Sequence, residues 1–166
     1  IVAIVHVTLD VAAKGLGGLD YFQREVWGFT LGRSEIPSLP PGQILRRLRH
    51  IRDLHMIPGQ GAKLRWVQSL AALSPDAVVA TGDFLSHVDG VSSALEALDP
   101  LMELPGAFVL GSNDYYAPKP INPVKYFAGP SQITPARPML DWEPLAAGMS
   151  DHGWLDLTNT TSLIPI

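Results

Sequence analysis

The order of apolar segments in this chain predicts an α/β fold with a parallel sheet. Three short runs, Leu48 to Ile51, Ala77 to Ala80 and Ala107 to Leu110, each lead into a polar cluster. The stretches between them carry helical spacing, and each repeat is about 30 residues, the length of a βαβ unit. Two such units in succession imply neighbouring parallel strands joined by right-handed crossovers.

Residues 1–43 read as an N-terminal extension with a Pro-rich lead-in, and 44–166 as the domain proper. In the extension, Trp27 to Ile36 alternates loosely enough for an edge strand, and Pro37, Pro40, Pro41 and Gly42 then break the chain. From Ala62 to Leu73, Leu64, Val67, Leu70 and Ala71 form a helical stripe that Trp66 and Leu73 widen, with Lys63, Arg65 and Gln68 expected outside it. Ser74-Pro75-Asp76 stops that helix, since proline cannot continue it. Ala77 to Ala80, centred on two valines, has the uninterrupted apolar character of a buried parallel strand. Ser92 to Leu104 is again helical, with Pro100 expected to kink or split it, and Pro105-Gly106 turns the chain into the third run. Beyond Asp114 the chain is Pro-rich through Pro138 and reads as loop. Leu140 to Met149 then suggests a helix weakened by Pro144, and Trp154 to Leu157 a last strand.

Bulk composition narrows the function classes. The chain has 166 residues, 46% hydrophobic and 17% charged, which excludes a disordered polymer and suits one well-buried domain. A net charge of −4 argues against nucleic-acid binding by phosphate attraction, because such modules carry a basic face. The one basic cluster, Arg46-Arg47 with Arg49 and Arg52, reads as ordinary surface. With no cysteine, disulfides and thiol chemistry are excluded, so any metal must be held by Asp, His, Asn or Glu. No apolar stretch is long enough to span a bilayer. The chain starts without Met, so its natural start is expected upstream; the sequence leaves the compartment open, cytoplasmic or membrane-peripheral.

Polar residues follow each apolar run: Asp53-Leu54-His55, Gly82-Asp83 and Gly111-Ser112-Asn113-Asp114. In an open parallel sheet the carboxyl ends of neighbouring strands face one crevice, where ligands bind. Asp53, His55, Asp83 and Asn113 or Asp114 are thereby expected to converge. Two carboxylates, an imidazole and an amide oxygen form a mixed N/O set suited to Mn, Fe or Zn. Each piece alone has a plainer explanation: chance for Asp-x-His, a turn for Gly-Asp, and a helix cap or Asx-turn for the third block. It is the order and near-equal spacing of all three, each after a strand candidate, that favours a metal site. Glycine before Asp83 and before Ser112 permits the tight turns this requires. His87 reads as a solvated loop residue, and His6 and His50 as packed or hydrogen-bonded ones.

These blocks resemble the first three signatures of the calcineurin-like metallophosphoesterase family, D-x-H, G-D and G-N-H-D. The flanks His50 to Met56 and Pro75 to Asp83 agree, and the likeness runs from Ile44 to about Tyr116, closest to the bacterial phosphohydrolases of the family. The resemblance implies the βαβαβ half of an α/β/β/α sandwich, and two divalent metal ions that activate a water for attack on a small phosphoester. It implies metal ligation by Asp53, His55, Asp83 (bridging both ions) and Asn113, and catalytic roles at Asp83, Asn113 and Asp114. Phosphomonoesters or phosphodiesters are the implied substrates, nucleotides or lipid pyrophosphates among them.

Two departures qualify this. Ser112 stands where the family has its ligand asparagine and Asn113 where it has the catalytic histidine, leaving Ser112 and Asn113 as alternative ligands, Asn113 being the better oxygen donor. The histidine acid is lost either way. The family's downstream Gly-His and G-H-x-H blocks are also not found, since only His152 lies beyond Asp114. The domain is therefore expected to be truncated and its activity feeble. A catalytically incomplete fragment or degenerate domain is the rival reading. A doubly wound nucleotide-binding module is weaker still, because Gly15-Leu16-Gly17-Gly18 lacks the G-x-G-x-x-G spacing.

Overall fold

The computed structural model describes residues 2–8, 30–37, 41–117 and 139–166, with residues 2–8 and 30 described by their backbone alone. The Pro-rich segment 118–138 and the glycines at 15, 17 and 18 lie outside the described residues.

Six strands form one sheet in the order β2-β1-β3-β4-β5-β6. They are β1 (Val2–Thr8), β2 (Thr30–Ile36), β3 (Arg46–Ile51), β4 (Ala77–Thr81), β5 (Gly106–Val109) and β6 (Leu155–Asp156). β3, β4 and β5 are parallel neighbours, as their spacing predicts, with Ile51 beside Ala80 and Ala80 beside Phe108. β6 extends the parallel set at one edge, and β1 lies parallel to β3 on the other side. β2 closes that edge antiparallel to β1, which places a strand within the stretch read as a possible edge strand. The sheet is thus continuous across residue 43, and residues of the expected extension contribute two of its strands. Nothing in the local pattern of Val2 to Thr8 separates a strand from any other short apolar run, because periodicity alone cannot identify so short and mostly apolar a segment.

Helices α1 (Gly61–Ser69, continued by a 3-10 turn, Leu70–Leu73), α2 (Val91–Met102), α3 (Ser112–Tyr115) and α4 (Glu143–Asp151) supply the connections. α2 packs between α1 and α4, as expected when successive crossovers step the same way along a sheet. The core lies between these helices and the sheet: Ile51, Val78, Ala80 and Phe108 meet Val67, Leu98, Leu101, Leu145 and Met149, all essentially inaccessible to water. On the alternate strand positions Leu48, Val79 and Val109 are only partly covered.

Four expectations are revised. Pro100 neither splits nor ends α2, which runs unbroken from Val91 to Met102. A proline there cannot donate to the carbonyl four residues earlier, that of Glu96. Gln68 Nε2, reaching across from α1, donates to this carbonyl at 2.9 Å, so the interhelical contact replaces the missing backbone bond. Pro144 falls in the first turn of α4, where no intrahelical N–H is needed. Lys63 is buried beside Val67, on the inner face of α1, not outside the stripe. Arg49 is also buried, with Nε and Nη1 lacking hydrogen-bond partners among the described residues, and burial lowers its pKa.

Candidate metal centre

Just past the ends of β3 and β4 the chain turns residues into the left-handed region. Asp53 (φ 55°), His55 (φ 46°) and Asp83 (φ 56°) all adopt it without being glycine. This conformation costs roughly 1–2 kcal/mol per residue, so surrounding bonds must enforce it. They do so by continuing the β3–β4 pairing past the strand ends. Asp53 N–H donates to Gly82 O at 3.1 Å, His55 N–H to Asp83 O at 2.9 Å, and Met56 N–H to Phe84 O at 2.7 Å. Gly82 itself sits at φ 78°, and a Cβ there would come within 2.5 Å of Gly111 N. At Gly111 the need is space: a Cβ would collide with the Asp83 carboxylate. The two glycines let the β4 and β5 turns approach closely.

The outcome is a cluster. One ligand atom each from Asp53, His55 and Asp83 lie within 4.8 Å of one another, and all three residues are partly exposed. Three convergent N/O donors at this spacing fit a divalent cation, and no rearrangement of the strand ends is needed to gather them. Arg52 Nε lies 3.7 Å from Asp53 Oδ2, adding a guanidinium at the rim.

The third block meets this cluster from β5. Asn113 donates twice to Asp83, from its backbone N–H to Oδ1 at 3.0 Å and from Nδ2 to Oδ2 at 3.0 Å. Of the two alternatives at this block, Asn113 is thus the residue bonded to Asp83. Asp114 turns the other way. Its carboxylate, fully buried, accepts backbone N–H groups from Asp83 (2.9 Å) and Gly111 (2.8 Å) on Oδ2, and from Phe84 (2.7 Å) and Leu85 (3.0 Å) on Oδ1. Burial pushes its pKa up, opposed by the N–H bonds from Gly111, Leu85 and Phe84, while the charge of Asp83 adds to the rise. Asp114 is therefore the clamp that joins the β4 turn to the β5 turn. The bond to Gly111 also caps the start of α3.

The side chain of His6 lies outside the described residues, and three other histidines bond to residues outside the cluster. His87 is exposed and accepts Asp89 N–H at 3.1 Å. His50 shares a 2.8 Å hydrogen bond with Thr81 Oγ1, and His152 contacts Gly148 O at 2.7 Å at the end of α4.

Two residues at the site were not singled out in the sequence. Ser86 Oγ lies 3.0 Å from His55 Nδ1. Lys63 Nζ donates to the His55 carbonyl at 3.4 Å, and burial lowers its pKa to about 8. Lys63 carried a usable signal, because it stands four residues before Val67 and seven before Leu70 on the buried face. Ser86 carried none, since a serine three residues after a Gly-Asp turn is an ordinary loop residue.

No curated protein and no solved structure shows a match to this chain. Residues 46–164, however, match the family described as calcineurin-like phosphoesterase. That span takes in β3 through β6, and with them every strand end that feeds the cluster. On that match the chain belongs to the calcineurin-like phosphoesterase family.

Proposed function

We propose that the chain is a metal-dependent phosphoester hydrolase, acting on a phosphomonoester or phosphodiester at the Asp53–His55–Asp83 cluster. The observation that carries the reading is the convergence of these donors from two strand ends within 4.8 Å. Bound divalent cations, Mn, Fe or Zn by the mixed N/O donor set, supply Lewis acidity and an activated water.

The chain's own residues do the rest. Asp53 and His55 would hold one ion. Asp83, whose two oxygens both accept from Asn113, would be shared with a second, to which Asn113 would offer its amide oxygen. Asp114 keeps the β4 and β5 turns at fixed separation through four backbone N–H bonds, which fixes Asp83 relative to Asn113. The third block has no histidine to protonate the leaving oxygen, so that proton comes from solvent. A general acid is typically worth 10²–10⁴-fold, so turnover by this chain is correspondingly slow. Nucleotides and lipid pyrophosphates are the substrate classes to try first.

A second reading, a domain that binds metal without turnover, is favoured by the single three-donor cluster among the described residues. The deciding experiment measures Mn²⁺ binding and hydrolysis of aryl phosphomonoesters and phosphodiesters by the same protein. Mn²⁺ binding with hydrolysis, both lost in Asp83→Ala, supports the hydrolase. Binding without hydrolysis of any phosphoester selects the second reading, and absence of binding refutes both.

A further inference from the structure

His55 has two ring nitrogens, and only one can face the ion. Nδ1 is engaged, 3.0 Å from Ser86 Oγ. Nε2 is then the nitrogen left for the metal, and a ligating nitrogen must carry a lone pair, not a proton. With Nε2 ligating, the ring would carry its proton on Nδ1 and donate it to Ser86 Oγ. A hydroxyl can also act as donor, so it is the placement of Ser86 that matters. Ser86 N–H donates to Met56 O at 3.1 Å, and Met56 pairs with Leu85 in an isolated parallel bridge. The serine is thus tied by its backbone to the residue that follows His55, and its side chain meets the ring at a fixed point. His55 itself is restrained by its left-handed backbone and by its N–H bond to Asp83 O.

We propose that Ser86 is a positioning residue that holds the His55 ring with Nδ1 turned to the serine and thereby presents Nε2 to the metal. The inference rests on the metal-dependent reading above and adds to it the residue that fixes this ligand's orientation. Partners of this kind typically contribute 10–100-fold in metal affinity.

The test uses the full chain labelled with ring-¹⁵N histidine, the His55 signals being assigned by their loss in His55→Gln. Spectra are taken with the diamagnetic ion Zn²⁺ bound, and Mn²⁺ affinity is measured separately from the free-ion EPR signal. The expected result is ligation of His55 through Nε2 alone in the wild type. In Ser86→Ala ligation is divided between the two ring nitrogens, with Mn²⁺ affinity lowered about tenfold or more. Ser86→Thr, which keeps the hydroxyl, restores both. A Ser86→Ala ring that still ligates through Nε2 alone, or an Mn²⁺ affinity within about twofold of wild type, overturns the proposal. A wild type that binds neither ion refutes the metal reading and this proposal with it, whereas equal binding through Nε2 in both proteins refutes the role of Ser86 alone. Circular dichroism of each variant separates loss of fold from loss of the hydrogen bond.

Discussion

Replacing Asp114 with asparagine is expected to destabilise the protein far more than a change of one atom suggests. Each carboxylate oxygen accepts two backbone N–H groups at 2.7–3.0 Å, and the residue has no solvent exposure to compensate a loss. In Asp114→Asn one oxygen remains and keeps two of the four bonds, without the assistance of a formal charge. The other position becomes an NH₂ facing two N–H donors, so two buried donors lose their acceptor. A buried unsatisfied donor costs about 1–3 kcal/mol, which places the total near 3–5 kcal/mol after some relaxation. A domain of this size has about 5–15 kcal/mol of stability in all, and each kcal/mol shifts Tm by about 2–4 °C. Urea denaturation at pH 7 should therefore show a loss of about 3 kcal/mol or more, and the thermal midpoint should fall by roughly 8–15 °C. Asp114→Ala, which abandons all four donors, should be worse. Folded Asp114→Asn should also bind Mn²⁺ more weakly, because Asp83 N–H is among the clamped groups. A loss below about 1 kcal/mol would mean that the four donors find other acceptors, and the clamp argument would be refuted.

Three further outcomes follow from the same geometry. Lys63 has its pKa lowered from 10.5 to about 8, so between those values the unfolded chain holds a proton that the folded chain does not; stability should rise with pH across that window, by about 3 kcal/mol in all, and this rise should vanish in Lys63→Met when urea midpoints are compared from pH 7 to pH 10. Gln68→Leu should cost about 0.5–1 kcal/mol by removing the exposed bond to the Glu96 carbonyl, and much less in a Pro100→Ala background, where residue 100 regains an N–H; equal cost in both backgrounds would refute the bridging role. Asp83→Ala should lower Mn²⁺ affinity by about a hundredfold or more, while His87→Ala, altering an exposed loop residue bonded to Asp89, should change it by less than about twofold; the reverse order in a metal titration would overturn the ligand assignment.

The sequence by itself determined the parallel β3–β4–β5 arrangement, because continuous apolar runs and helical stripes at βαβ spacing permit few other topologies. It likewise placed Asp53, His55 and Asp83 at the strand ends, and parallel pairing with Ile51 beside Ala80 brings those ends together. What only the tertiary structure decided depends on partners distant in the chain. Val2–Thr8 becomes a strand because β3 lies beside it, and Thr30–Ile36 because β1 does. Pro100 is harmless because Gln68, on another helix, replaces its missing bond. Lys63 and Arg49, whose charges alone would place them in water, are buried by the layer packed over them. At the site the same holds for Asp114. Its residue type suits chemistry or structure equally, and the choice fell to four backbone N–H groups that only the folded turns bring within reach. Spacing along a chain fixes which strand ends meet, but the direction a side chain faces there depends on donors and acceptors that local sequence does not contain.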